Sequence, residues 1–115
     1  MELEYIDLNK VLSECINVHE DSIVNLKIFV ENLTLIKLRD ILLKIGQIHI
    51  EDIDRGIYVV TIKGGFAKKN SATLALQLDR KTILIAGYAD EGLINQHTLE
   101  GVIHDFKKEI REYTV

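Results

Sequence analysis

The chain has 115 residues and no proline; 47% of its residues are hydrophobic, and its formal net charge is −4. This length and apolar content are typical of one domain, residues 1–115, that buries a substantial core. The negative charge gives no reason to expect a nucleic-acid partner. No apolar run approaches the roughly 20 residues of a membrane span, and the acidic start, MELEYIDLNK, does not resemble a signal peptide. Because a single cysteine cannot form an internal disulfide, we expect a cytoplasmic protein.

The first predicted element is a short helix. Asp7 can cap a helix from Leu8 to about Val18. One apolar stripe recurs along it at helical spacing and consists of Leu8, Val11, Leu12, Cys15 and Ile16. We therefore expect Cys15 to pack in the core as a small apolar residue, since no histidine lies where the local sequence would supply a base for a nucleophile.

A strand is predicted next, over residues 24–30. Apolar and polar side chains alternate there, which is typical of a strand with one buried face. The apolar set is Val24, Leu26, Ile28 and Val30. Phe29 falls on the polar side, which predicts that this second face is partly covered too.

The second helix carries two separate apolar faces. Asn32 or Thr34 can cap it, and Gly46 is placed to end it as a glycine just past a helix C-terminus. Its inward stripe consists of Leu35, Leu38, Ile41, Leu42 and Ile45. Ile36 and Leu43 lie well away from that stripe, and two interpretations are open: packing within the same chain, or contact with a second subunit or partner.

Residues 47–89 predict two consecutive β-hairpins, around which the rest of the chain is organised. Asp54-Arg55-Gly56 supplies the first turn and Asp79-Arg80-Lys81 the second. The run from Ile83 to Ala86 is almost continuously apolar, which is typical of a strand covered on both faces.

The connection between the hairpins, residues 63–70, is a candidate anion-binding loop. Gly64 and Gly65 expose backbone amides, and Lys63, Lys68 and Lys69 add positive charge. The complete glycine-lysine-hydroxyl pattern of a P-loop is missing. A plain solvated connection is therefore the competing interpretation.

The last helix is predicted from about Asn95 to Tyr113. Its inward stripe consists of Leu99, Val102, Ile103, Phe106, Ile110 and Tyr113. His97 and His104, with Glu100 between them, are two helical turns apart, about 10 Å of rise, which is too far for one metal ion. We predict no metal site and no cofactor.

Carboxylates cluster at the tip of the first hairpin. Glu51, Asp52 and Asp54 are close in sequence, but a hairpin tip gives no enclosed site that would shift their pKa values for catalysis. The chain also has no serine–histidine or cysteine–histidine arrangement. We therefore predict no catalytic residue.

These elements predict an α+β domain. Its sheet is mainly antiparallel, with about five strands: a four-stranded meander plus one earlier strand, covered by three helices. We predict a small non-enzymatic interaction or regulatory protein that forms a homodimer or binds another protein, with Ile36 and Leu43 at the interface. A module that binds a small anion through residues 63–70, and an enzyme whose site assembles only in three dimensions, are the alternatives.

Overall fold

A five-stranded antiparallel sheet forms the centre of the molecule, as the sequence predicts. The structure, a computed structural model, describes residues 7–18, 22–63, 71–89 and 98–114. In chain order the elements are α1 (Leu8–Ile16), β1 (Val24–Phe29), α2 (Leu35–Ile45), β2 (Gly46–Asp52), β3 (Ile57–Lys63), β4 (Ser71–Asp79), β5 (Thr82–Ala89) and α3 (Thr98–Thr114). The α+β class is confirmed.

The strand order is β1-β5-β4-β3-β2. Strands β2 to β5 follow one another as a meander, while β1 pairs with β5, from Val24 opposite Gly87 to Phe29 opposite Thr82. The first turn is closed by Gly56, whose φ of 69° suits glycine, and the second by Arg80 at φ 57°. Strands β1 and β2 are therefore the two edge strands of the sheet.

Helices α2 and α3 cover one face of the sheet and bury the larger core. The predicted inward stripe of α2 is confirmed, with Leu38, Ile41 and Leu42 fully buried, and Phe106 of α3 is fully buried as well. Tyr113 is the exception in the α3 stripe, because it is exposed. Its hydroxyl donates a hydrogen bond to Asp40 of α2, which holds the ring at the surface above the seam between the two helices.

Helix α1 covers the opposite face and buries a smaller core. The Asp7 side chain caps it by accepting from the backbone N–H groups of Asn9 and Lys10. Leu8 and Leu12 are buried against β3, β4 and β5. The prediction that Cys15 packs in the core is wrong, since its side chain is exposed.

The geometry of a nine-residue helix explains this error. Its contacts are made by Leu8, Val11, Leu12 and Ile16. At 3.6 residues per turn Cys15 faces nearly the same way as buried Leu8, but it lies about 10 Å further along the axis, in the last turn of the helix. In the last turn it is Ile16, followed by Val18, that packs against the small core.

The coverage predicted for Phe29 is also wrong. Phe29 is 80% exposed, although it shares the α1 side of the sheet. The packing of α1 is mainly against β4 and β5, in the middle of the sheet. At the edge, the side chains of Asn9 and Asn25 hydrogen-bond to each other, and Phe29 lies further along β1.

Helix α2 passes directly into β2 at Gly46. Thr34, one of the two predicted caps, begins the helix by accepting from the N–H of Lys37. Gly46 ends it, but with φ −159°, so it is extended rather than left-handed. Glycine is needed here for space, since a Cβ would lie 2.5 Å from the carbonyl oxygen of Thr61.

Candidate functional site

An apolar ridge runs along the outer side of α2. It is formed by Ile36 and Leu43, which are 74% and 51% exposed, and we call this pair the α2 ridge. The two residues are separated by two helical turns, about 10 Å of rise. They project away from the sheet, on the side of the helix opposite Leu38 and Leu42, which are fully buried. The sequence predicted their position relative to the core, and the structure gives their exposure.

Charged side chains border the α2 ridge, and each already has a partner within the chain. The pairs are Arg39 with Glu51 at 2.6 Å, Tyr113 donating to Asp40 at 2.7 Å, and Lys44 with Glu109 at 2.9 Å. The bond to Asp40 raises the pKa of Tyr113, and the bond to Glu109 raises the pKa of Lys44. These charged groups beside the ridge are thus each bonded to another side chain of the same molecule.

The carboxylates at the tip of the first hairpin support the local structure. Asp52 accepts a hydrogen bond from the backbone N–H of Arg55 at 3.3 Å, which stabilises the turn. Glu51 lies opposite Tyr58 in the β2–β3 ladder. Burial, followed by the charge of Glu51 and a hydrogen bond with it, raises the pKa of Tyr58.

The predicted anion-binding loop falls largely beyond the described ranges. Lys63 ends β3 and is exposed. Gly64, Gly65, Lys68 and Lys69 lie outside the described residues, so their role stays a prediction.

The histidines of the last helix are placed only in part. His97 lies outside the described residues, whereas His104 is exposed on α3. Within the ranges that the structure describes, no three His, Cys, Asp or Glu side chains are grouped so that they could hold a metal ion.

The sequence did not predict a groove between β1 and α3. Its volume is about 420 Å³, and it is lined by Lys27, Ile28, Phe29, Lys107, Ile110 and Arg111. The spacing of Lys107 and Arg111, one helical turn apart, was a signal that they share a side of α3. Their proximity to Lys27 depends on the pairing of β1 with β5, which is not a local feature of the sequence.

No protein-family model, curated protein or solved structure matches the chain. None of the described helices is long and apolar enough to cross a membrane.

Proposed function

We propose that the protein is a small, non-enzymatic interaction or regulatory protein that forms a homodimer through the α2 ridge. The observation that carries this proposal is the exposure of Ile36 and Leu43, two large aliphatic side chains on the outermost side of one helix. We also propose a cytoplasmic location, since the lone Cys15 cannot form an internal disulfide.

Covering the α2 ridge is favourable in water. Removing apolar area from solvent stabilises an assembly by roughly 25 cal/mol per Å². Arg39, Asp40 and Lys44 at the border of the ridge are bonded to side chains of their own chain. Docking therefore need not leave an unpaired charge at the edge of the contact.

A second copy of the chain is the partner that we propose. In a two-fold dimer the same surface serves both subunits, so one apolar ridge meets another of the same size and chemistry. A stable interface buries about 800 Å² on each partner, more than two side chains provide. The adjoining outer surface of α3, including Tyr113, would supply further area.

The test is the solution mass of a double variant. Ile36→Lys with Leu43→Lys places two charges on the α2 ridge, and we expect it to convert a dimer into a folded monomer. Both side chains are exposed, so the fold should tolerate the change, which circular dichroism would verify. Light scattering coupled to size exclusion would measure the masses of the natural chain and the variant.

Phe29 provides the control. It is 80% exposed on β1, at the opposite end of the strand order from β2, the strand that follows α2 directly. Phe29→Lys also places a charge on an exposed apolar position and should leave the dimer intact. A natural chain that is monomeric at all concentrations, or a control that dissociates as readily as the double variant, would contradict the proposal.

A further inference from the structure

Among the described residues, strand β1 is an edge strand of the sheet. It lies at the end of the strand order, and no described residue continues the ladder beyond it. A free edge presents unpaired backbone N–H and C=O groups, which form a template for another strand.

The register identifies the groups that face outward. The N–H of Val30 donates to the carbonyl oxygen of Lys81 at 2.8 Å, so Val30 directs its backbone toward β5. In an antiparallel pair, alternate residues direct their backbone groups to the same side. Leu26 and Ile28 therefore bond to β5, whereas Lys27 and Phe29 present their N–H and C=O groups to the open edge.

The groove between β1 and α3 runs beside this edge. Its apolar lining is Ile28 and Ile110, both almost fully buried, while Phe29 is exposed at its margin. Lys107 and Arg111 add two positive charges from α3, Lys27 lines the groove from β1, and none of the three forms an ion pair with another described residue. An extended chain with negative side chains would meet both backbone partners and cations here.

The charges of α3 are divided between its two sides. On the side toward α2, Glu109 pairs with Lys44 and Glu112 raises the pKa of that lysine. On the side toward β1, Lys107 and Arg111 line the groove. Glu109 and Glu112 are thus on the side of the helix away from the groove.

We propose that the open edge of β1 and the adjoining groove bind an extended acidic peptide segment of a partner protein as an additional strand. Backbone hydrogen bonds to Lys27 and Phe29 hold the segment. Every second side chain of an added strand points toward α3, where carboxylates pair with Lys107 and Arg111. The surface is separate from the α2 ridge, and binding there does not depend on dimer formation.

A second copy of the chain does not suit this edge. Antiparallel pairing of β1 with itself brings Lys27 near the same lysine of the other copy, and like charges in facing positions are destabilising. A lysine on an edge strand is a common protection against such self-association. With an acidic segment, the repulsion between two lysines is replaced by attraction between lysine and carboxylate.

The test uses a fluorescein-labelled octapeptide of alternating glutamate and valine. Fluorescence anisotropy measures its affinity, and amide chemical shifts map where it binds. We expect shifts along β1 and at residues 107–111 of α3, and an affinity that falls with added salt. A peptide of the same composition with methylated backbone nitrogens should bind at least about tenfold more weakly, because it lacks the N–H donors for the edge.

Variants separate the two sources of affinity. Lys107→Glu with Arg111→Glu should weaken binding about tenfold, whereas Lys108→Glu, an exposed change outside the groove on the same helix, should alter it by less than about threefold. Lys27→Pro should bind more weakly than Lys27→Ala. Both remove the charge, but only proline removes the outward N–H, and edge strands tolerate it. Unfolding midpoints would verify that each variant is folded.

Three results would overturn the proposal. Equal binding of the methylated peptide would reduce the groove to a general anion site. Amide chemical-shift changes confined to residues outside β1 and α3 would show that the peptide binds at a different site. Equal affinities of Lys27→Pro and Lys27→Ala for the peptide would show that the peptide does not bind as an added strand. The variant with Lys107→Glu and Arg111→Glu keeps the α2 ridge. The solution mass of this variant should therefore match that of the natural chain.

Discussion

Replacing Gly46 with alanine tests the junction where α2 becomes β2. A Cβ at this position would lie 2.5 Å from the carbonyl oxygen of Thr61 and 3.0 Å from side-chain carbons of Val60 and Ile62. The oxygen belongs to the backbone of β3, so relief requires β2 to move away from the strand with which it pairs. We expect Gly46→Ala to lower the free energy of unfolding by about 1–3 kcal/mol, the usual cost of overpacking.

Asparagine distinguishes crowding from a helix-capping role. If Gly46 were needed for a left-handed conformation, asparagine would be accepted better than alanine. Because its φ is −159°, we expect Gly46→Asn to be at least as destabilising as Gly46→Ala. Gly56, with φ 69°, is the control, and there asparagine should be the milder change. Urea unfolding of the alanine and asparagine variants at both glycines measures these differences in stability. A Gly46→Asn variant clearly more stable than Gly46→Ala would refute the crowding explanation.

Two further predictions concern the core and alkaline pH. Phe106→Ala should reduce the free energy of unfolding by about 3–5 kcal/mol, whereas the exposed neighbour change Lys107→Ala should cost less than about 0.5 kcal/mol; equal denaturation midpoints would contradict the orientation of α3. Burial, followed by Glu51, raises the pKa of Tyr58, so the folded state holds the phenolic proton more tightly than the unfolded state. This stabilisation is fully present below about pH 10 and is lost as the pH rises through the raised pKa. Tyr58→Phe cannot ionise, so its melting temperature should fall less than that of the natural chain between about pH 9 and pH 12; parallel curves would contradict this.

The meander and the last helix were predictable because their signals are local. Leu74 and Leu76 lie two residues apart on the side of β4 that faces the larger core, and Gly56 supplies the positive φ that its turn needs. Phe106 lies in a stripe of helical period. The position of β1 carried no such signal. Alternation gives a strand its two faces, but it does not identify β5 as the neighbour, which requires pairing Val24 with the distant Gly87.

The errors at Cys15 and Phe29 have a common origin. A hydrophobic period gives the direction of a side chain but not how far the layer above it extends. The nine residues of α1 cover the middle of the sheet and not the end of β1 where Phe29 lies. For the same reason the sequence left two interpretations for Ile36 and Leu43, and only the packing of α2 on the sheet leaves them exposed.

The two candidate sites also differ in whether the sequence alone could predict them. The α2 ridge was predictable as a position on one helix. The groove was not, because Lys27 and Arg111 are far apart in the sequence and share a surface only once β1 lies at the sheet edge. Side chains from distant segments form a site only through tertiary structure.

We propose that two copies of the chain meet through the α2 ridge. An isotope-filtered NMR experiment on a mixture of labelled and unlabelled protein tests it most directly, because it detects only contacts between copies. The proposed dimer predicts intermolecular contacts from the methyl groups of Ile36 and Leu43, and none from the ring of Phe29 on β1, at the opposite end of the sheet. Intermolecular contacts that involve neither Ile36 nor Leu43, or no contacts at millimolar concentration, would contradict it.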